Sequence, residues 1–237
     1  MSKNPAALTK ELEYLKLRYI LENHAEAGKQ AARKSWSHID YLANLIAGEA
    51  ALRRDRSVQR RINQARFPVL KTIENFLWSW PKKINQPAVR HLLHLGFIND
   101  KSNVIFLGGV GVGKTHLATA IGYQACLKRH SVLFSTAIDV INSMAAAQKA
   151  GNLKNEIKKY LRPDLLILDE LGYLPIDKTG ADLLFQVISH RYERGAIIVT
   201  SNRAYKHWPE IFNNDSTLTS ALLDRLLHHS ETMIIEG

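Results

Sequence analysis

Cysteine is nearly missing from this 237-residue sequence, in which Cys126 is the single example. One thiol closes no internal disulfide and builds no cysteine metal cluster. Disulfide-stapled secreted scaffolds and zinc ribbons are therefore excluded, and Cys126, inside an apolar stretch, reads as a core thiol. Long apolar runs are missing too. The opening MSKNPAALTKELEYLKLRY is broken by charges every few residues, and no run is long enough for a signal peptide or a bilayer span. A cytoplasmic protein without a membrane partner is expected. Internal repeats and low-complexity tracts are absent, so neither a solenoid nor a disordered or fibrous chain is expected.

What is present is an ordinary globular composition, 46% hydrophobic and 23% charged. That suffices for one sizeable core and a smaller appendage. The net charge is +10, and it is unevenly spread. Residues 1–100 hold 17 Lys and Arg against 9 Asp and Glu, whereas residues 101–237 hold 15 against 13. A basic first half suits a polyanionic partner, but charge alone suits a solvated basic face equally well.

Leu8, Leu12, Leu15 and Tyr19 recur at helical spacing, as do Ala32, Trp36, Ile39, Ala43, Ile46 and Ala50. Gly28 between the two stripes reads as a helix break. Residues 1–66 are expected to form a small helical domain ending in a basic cluster of Arg53, Arg54, Arg56, Arg60 and Arg61. Residues 67–102, punctuated by Pro68, Pro81 and Pro87, read as a connector anchored by Phe76, Trp78 and Trp80. The Trp-Ser-Trp pair is either packed on the next domain or, less favoured, a base-stacking platform.

From residue 103 the pattern becomes strand and helix in alternation. Strands are expected at 104–107, 132–135, 165–168, 196–200 and 233–235. Helices are expected at 115–127, 138–149, 153–160, 181–194 and 218–229. Apolar strands alternating with helices imply an α/β fold, a parallel sheet covered on both faces, in a domain spanning 103–237.

Between the first strand and its helix stand Gly108, Gly109, Val110, Gly111, Val112, Gly113, Lys114 and Thr115, a full G-x-x-x-x-G-K-[ST] phosphate loop. Glycines let the backbone N–H groups close around an anion, and the helix N-terminus adds its positive end. Lys114 is expected on the β- and γ-phosphates of ATP, and the Thr115 hydroxyl on Mg²⁺. His116 follows directly and is grouped with the ATP-binding residues, although it could simply pack. The strand LLIL ends in Asp169 and Glu170. Ligands of open parallel sheets sit at such strand ends, so Asp169 is assigned to Mg²⁺ and Glu170 to activation of a water. Thr200, Ser201 and Asn202 close another apolar strand, where an amide could sense the γ-phosphate; the competing reading is a turn-forming Asn.

The phosphate loop running into Thr-His-Leu-Ala, the LLILDELGYLP stretch, the IIVTSN strand and the DRLLHHS helix together resemble the IstB-like branch of AAA+ P-loop ATPases. These are insertion-sequence transposition helpers, related to the DnaC helicase loader. The resemblance covers the chain from about residue 67 onward with specific motifs. It implies an ATPase that binds DNA, forms homo-oligomers on ATP and DNA, and helps a transposase. The DNA is then expected on Arg53, Arg54, Arg56, Arg60 and Arg61, with little sequence preference because phosphate contacts carry no direct sequence information. The resemblance also makes Asn202 the sensor and Arg225 an arginine finger acting on a neighbouring subunit's ATP. Relatives often carry a helical lid with a second sensor arginine; the sequence stops at Gly237, and that role has no assigned residue. The alternative is a replicative helicase loader. A small-molecule kinase fits worse, since no Arg-rich insertion covers the phosphates and a kinase has no use for a water-activating Glu170.

Other polar residues are assigned less chemistry. His228 and His229 near a helix end suit its dipole or the surface better than a metal. His91 and His94 share a helical face without ligand partners at metal spacing. Arg191 and Arg194 suit either a helix C-terminus or an interface.

Overall fold

The computed structural model describes residues 5–237, with side chains from residue 6. The first four residues of the expected helical domain lie outside the described residues. Two compact units divide the chain, Met1–Arg60 and Arg61–Gly237.

The first unit is built from α1 (Pro5–Tyr14), α2 (Arg18–Arg33) and the body of α3 (His38–Ala65). Leu12, Ile20, Ala27 and Leu45 form its small core. A left-handed Lys16 (φ +55°) turns α1 into α2, so the expected Leu8-to-Tyr19 stripe is divided between two helices. Gly28 does not break a helix: it lies within α2, where the Tyr41 hydroxyl donates to the His24 carbonyl one turn earlier. The break falls instead at Ser35 (φ +51°), followed by a reciprocal Ser37–Asp40 cap that starts α3. The second stripe is also corrected. Ile39 and Ile46 are exposed, and the inward face of α3 carries Leu45 and Glu49. Gly48 belongs to that face because a Cβ there would stand 2.0 Å from the Tyr19 ring.

Glu49 explains why the inward face includes a carboxylate. Leu17 gives α2 no side-chain cap. Glu49 supplies one from α3, accepting the N–H of Tyr19 at 2.8 Å and of Ile20 at 3.4 Å. Arg53 donates to Glu49 at 3.0 Å and to the Lys16 carbonyl at 3.3 Å. This ties Arg53, expected as a DNA contact, into the α1–α2 turn. Burial pushes the Glu49 carboxyl up, but the hydrogen bonds from Arg53, Tyr19 and Ile20 outweigh it, and the net shift is downward.

The second unit holds a five-stranded parallel sheet in the order β2-β3-β4-β1-β5. Its strands are β1 (Asn103–Gly108), β2 (Val132–Thr136), β3 (Leu165–Leu171), β4 (Ala196–Ser201) and β5 (Ser230–Ile235). The stretch 67–102, expected as a connector, packs within this unit and carries α4 (Gln86–Leu92) and α5 (Gly96–Asn99). The remaining helices are α6 (Lys114–Leu127), α7 (Ala137–Lys149), α8 (Leu153–Leu161), α9 (Lys178–Arg191), α10 (Trp208–Ile211) and α11 (Ser216–Leu227). The short 3-10 and α10 turn around residues 205–211 has no counterpart in the sequence pattern; the fully buried Trp208 anchors it.

Alternation along the strands separates the two faces. Leu166, Leu168, Ile197 and Val199 pack with α7, α9 and α11. Ile167 faces the other way, against α6 at Gly122. Arg191 is not at an interface. It is buried to 2% exposure and donates to the carbonyls of Tyr160, Pro163, Asp164 and Ala196 at 2.7–3.2 Å. It thereby fastens the end of α8 to the starts of β3 and β4. Burial lowers its pKa to about 10, with Asp164 acting in the opposite direction. Among the described residues no helix is long and apolar enough to cross a membrane.

Candidate nucleotide site

The glycine loop leaves the C-terminal end of β1 and runs into the N-terminus of α6, the place where parallel sheets hold phosphate. Gly113 is required twice over: its φ is +95°, and a Cβ would meet the Phe76 ring at 2.6 Å. Lys114 Nζ donates to the carbonyls of Gly108 and Gly109 at 2.9 and 2.6 Å. Burial lowers the Lys114 pKa, and the carboxylates of Asp169 and Glu170 oppose that shift.

Asp169 and Glu170 are neighbours on one strand, so regular pleating would send them to opposite faces. A bulge prevents this. The β3–β4 register shifts between Leu168 and Leu171, and Glu170 adopts φ +59°. Bulges of this kind re-aim side chains beside functional sites. Buried Asp169 accepts from the Thr115 hydroxyl at 2.9 and 3.1 Å, while exposed Glu170 lines the same cavity as Thr115. Thr200 secures the bulge. Its hydroxyl donates to Asp169 Oδ1 at 2.5 Å and accepts the Glu170 N–H at 3.0 Å.

The cavity between these groups measures about 100 Å³ and is also lined by Lys114, Asn202 and Tyr173. The Asn202 Oδ1 is itself closed off from solvent and has no hydrogen-bond partner. A larger hollow of about 300 Å³, lined by His91, Asp100 and His229, opens elsewhere. It lacks the phosphate loop, so chemistry rather than volume selects the smaller site. The Thr115 hydroxyl and the Asp169 carboxylate together form a hard oxygen donor set that fits Mg²⁺.

Several assigned residues stand further out. His116 Nε2 lies 2.8 Å from the Thr72 carbonyl, and its ring packs edge-on against Phe76. Trp80 Nε1 donates to the Gly111 carbonyl at 3.1 Å. The Trp-Ser-Trp segment thus braces the phosphate loop, a role its composition alone does not distinguish from general packing. Thr200 is the functional residue that sequence reasoning misses; the available signal is a hydroxyl ending an otherwise apolar strand. Arg225 lies outside the cavity lining, with its guanidinium 4.8 Å from the Phe185 ring and Nη1 donating to the Ala221 carbonyl at 2.9 Å. Of the basic cluster, Arg54, Arg56 and Arg60 are exposed, whereas Arg61 donates to the Arg129 carbonyl at 2.8 Å.

With this geometry in place, comparison with known proteins decides the family. The profile of the IstB-like ATP binding protein family matches residues 10–237. The chain belongs to that family. It is 38% identical over 223 residues to a Geobacillus stearothermophilus protein named for insertion sequence IS5376 and ATP binding, covering 94% of this chain and 88% of that one. A Pseudomonas aeruginosa counterpart named for IS21 is 39% identical over 231 residues, covering 96% and 87%. The crystal structure of the DnaC helicase loader shares the fold of this IstB-like chain, with a TM-score of 0.58 at 23% identity over 72% of this chain and 99% of that one. A replication initiator, DnaA bound to AMPPCP and single-stranded DNA, gives a TM-score of 0.59 at 25% identity over 73% and 51%. The fold is thus that of AAA+ P-loop proteins, and the chain is an IstB-like member of an ATP-binding family.

Proposed function

We propose that this IstB-like chain hydrolyses ATP with Mg²⁺, binds DNA with little sequence preference, forms homo-oligomers on ATP and DNA, and there assists the transposase of an insertion sequence. The observation that carries the reading is the hydrogen-bonded group Thr115–Asp169–Thr200 with Glu170 turned into the same cavity. Thr115 and Asp169 would hold Mg²⁺, which would supply positive charge against the phosphates. Lys114 binds the β- and γ-phosphates. Glu170 accepts the proton of the attacking water as the bond from the γ-phosphorus to the bridging oxygen breaks and ADP leaves. Asn202, just after β4 and in the cavity lining, senses the γ-phosphate and helps position that water through its amide. The insertion-sequence names of the relatives and the basic first half support a DNA-linked role.

Steady-state hydrolysis and nucleotide titration test this. Lys114→Ala should lose ATP binding, because the phosphates lose their point charge. Glu170→Gln should bind ATP but turn over about a hundredfold more slowly or worse. Turnover near wild type would remove Glu170 as the base. Assays with the element's own transposase and with a replicative helicase separate the helper from the loader reading: a response from the helicase alone would assign the chain to loading.

A further inference from the structure

The end of α11 carries a second cluster of ligating groups, far from the phosphate loop along the strand direction. Glu193 lies in the short turn between α9 and β4, and His228 and His229 lie between α11 and β5. The sheet is parallel, so these residues stand at the N-terminal strand ends, opposite the end that holds Lys114 and Asp169. Among the described residues, Glu193, His228 and His229 can each offer a ligand atom with all of these atoms within 4.8 Å of one another.

Their surroundings orient them. Tyr192 Oη lies 2.9 Å from His228 Nδ1. An Nδ1–H donated to that oxygen leaves Nε2 as the ligating atom, the usual outer-shell arrangement of a metal-bound histidine. His229 Nε2 is 4.0 Å from Glu193 Oε1, and the two imidazole centroids are 4.2 Å apart. The backbone beneath is fixed by buried Asn103. Its N–H donates to the His229 carbonyl at 2.7 Å, and its Nδ2 donates to the Leu226 carbonyl at 3.0 Å. All three candidate ligands are exposed, so an aqueous ion reaches them without opening the fold.

We propose that Glu193, His228 and His229 bind one divalent transition-metal ion of the Zn²⁺ class, clasping the end of α11 to the end of α9. Two imidazoles and one carboxylate select Zn²⁺, Co²⁺ or Ni²⁺ over Mg²⁺ or Ca²⁺, which take oxygen ligands. Three protein ligands leave at least one position for water. The sequence alone places the two histidines on the surface because Glu193 is remote in the chain and enters only through the packing of α9 on α11.

Co²⁺ titration of the tag-free full chain without nucleotide tests this, read by visible d–d absorption and calorimetry, with Zn²⁺ displacing the Co²⁺. One equivalent is expected to bind, and excess Mg²⁺ should not displace it. His229→Ala and Glu193→Gln should each weaken binding by more than about tenfold, and Tyr192→Phe by about tenfold, as outer-shell losses do. His130→Ala, outside the cluster, should leave binding unchanged. Zn²⁺ should raise the thermal midpoint of the wild type and not of His229→Ala. No Co²⁺ binding, or binding unaltered in both ligand variants, overturns the site. Far-UV circular dichroism confirms that the variants are folded, which their exposed positions favour.

Discussion

The Thr200 hydroxyl sits between the two carboxylate residues, donating to Asp169 Oδ1 at 2.5 Å and accepting the Glu170 N–H at 3.0 Å. One buried side chain from β4 therefore fixes both the carboxylate proposed for Mg²⁺ and the left-handed backbone that aims the proposed base. Thr200→Val preserves shape but leaves a buried acceptor and a buried donor short of a partner. We expect kcat for ATP hydrolysis to fall roughly ten- to hundredfold, since small misplacements are costly. ATP affinity should stay within a few fold. Thr200→Ser should restore turnover, which a purely steric role would not require. Stopped-time hydrolysis assays and nucleotide titration on the three proteins decide it.

Glu49 provides a pH-dependent test of the first unit. Its carboxyl is held below its ordinary value of 4.5, so the stability it contributes is complete above that value and is lost as pH falls through the lower, folded value. Glu49→Gln should destabilise the unit by roughly 1–3 kcal/mol at neutral pH. Hydrogen-exchange protection at the Tyr19 and Ile20 amides should drop in this variant at neutral pH. In the wild type the same loss should appear only below pH 4.5. Equal protection in both proteins at neutral pH would exclude the capping role.

For DNA, the exposed arginines and the bonded ones should behave differently. Replacing Arg54, Arg56 and Arg60 with Ala should weaken DNA binding at all sequences. It should also flatten the salt dependence by about one unit for each phosphate no longer neutralised. Arg53→Ala should instead loosen the α1–α2 turn by removing the Glu49 and Lys16 bonds. Fluorescence anisotropy over a salt series, paired with hydrogen exchange, separates the two effects. A wild-type slope in the triple variant would place the DNA surface elsewhere.

Arg225 rests on Phe185 and the Ala221 carbonyl, and among the described residues no acid forms a salt bridge with it; in the proposed homo-oligomer its guanidinium would meet a neighbour's ATP. As an arginine finger acting in trans it can contribute about a thousandfold in rate. Arg225→Ala and Lys114→Ala should each be inactive and should recover turnover when mixed. Normal hydrolysis by Arg225→Ala alone, or no recovery in demonstrated mixed oligomers, would remove the assignment.

The chemistry-bearing motifs are legible in the sequence because each is local. A phosphate loop needs eight consecutive residues between a strand and a helix, and LLILDE needs one buried strand. The alternation of apolar strands with helices is enough for a parallel sheet, and the observed order places both motifs at its C-terminal edge. The N-terminal helices are less legible. Periodicity reports that a helix has an apolar face but not which neighbour covers it, so it turns Ile39 and Ile46 inward and passes over Glu49.

The sequence by itself determined the nucleotide-binding class and the sheet, and it singled out Lys114, Thr115, Asp169 and Glu170 as candidates, since local motifs and residue order suffice for each. Only the tertiary structure decided how these residues converge. Adjacent carboxylates on a regular strand diverge, and it is the bulge at Glu170, held by Thr200 from another strand, that turns Glu170 to the cavity whose Thr115 and Thr200 hydroxyls bind Asp169. The same holds for Arg191 and Arg53, whose charges look free along the chain. Long flexible cations satisfy carbonyls and carboxylates that are near in space but distant in sequence, and no spacing rule reports those partners.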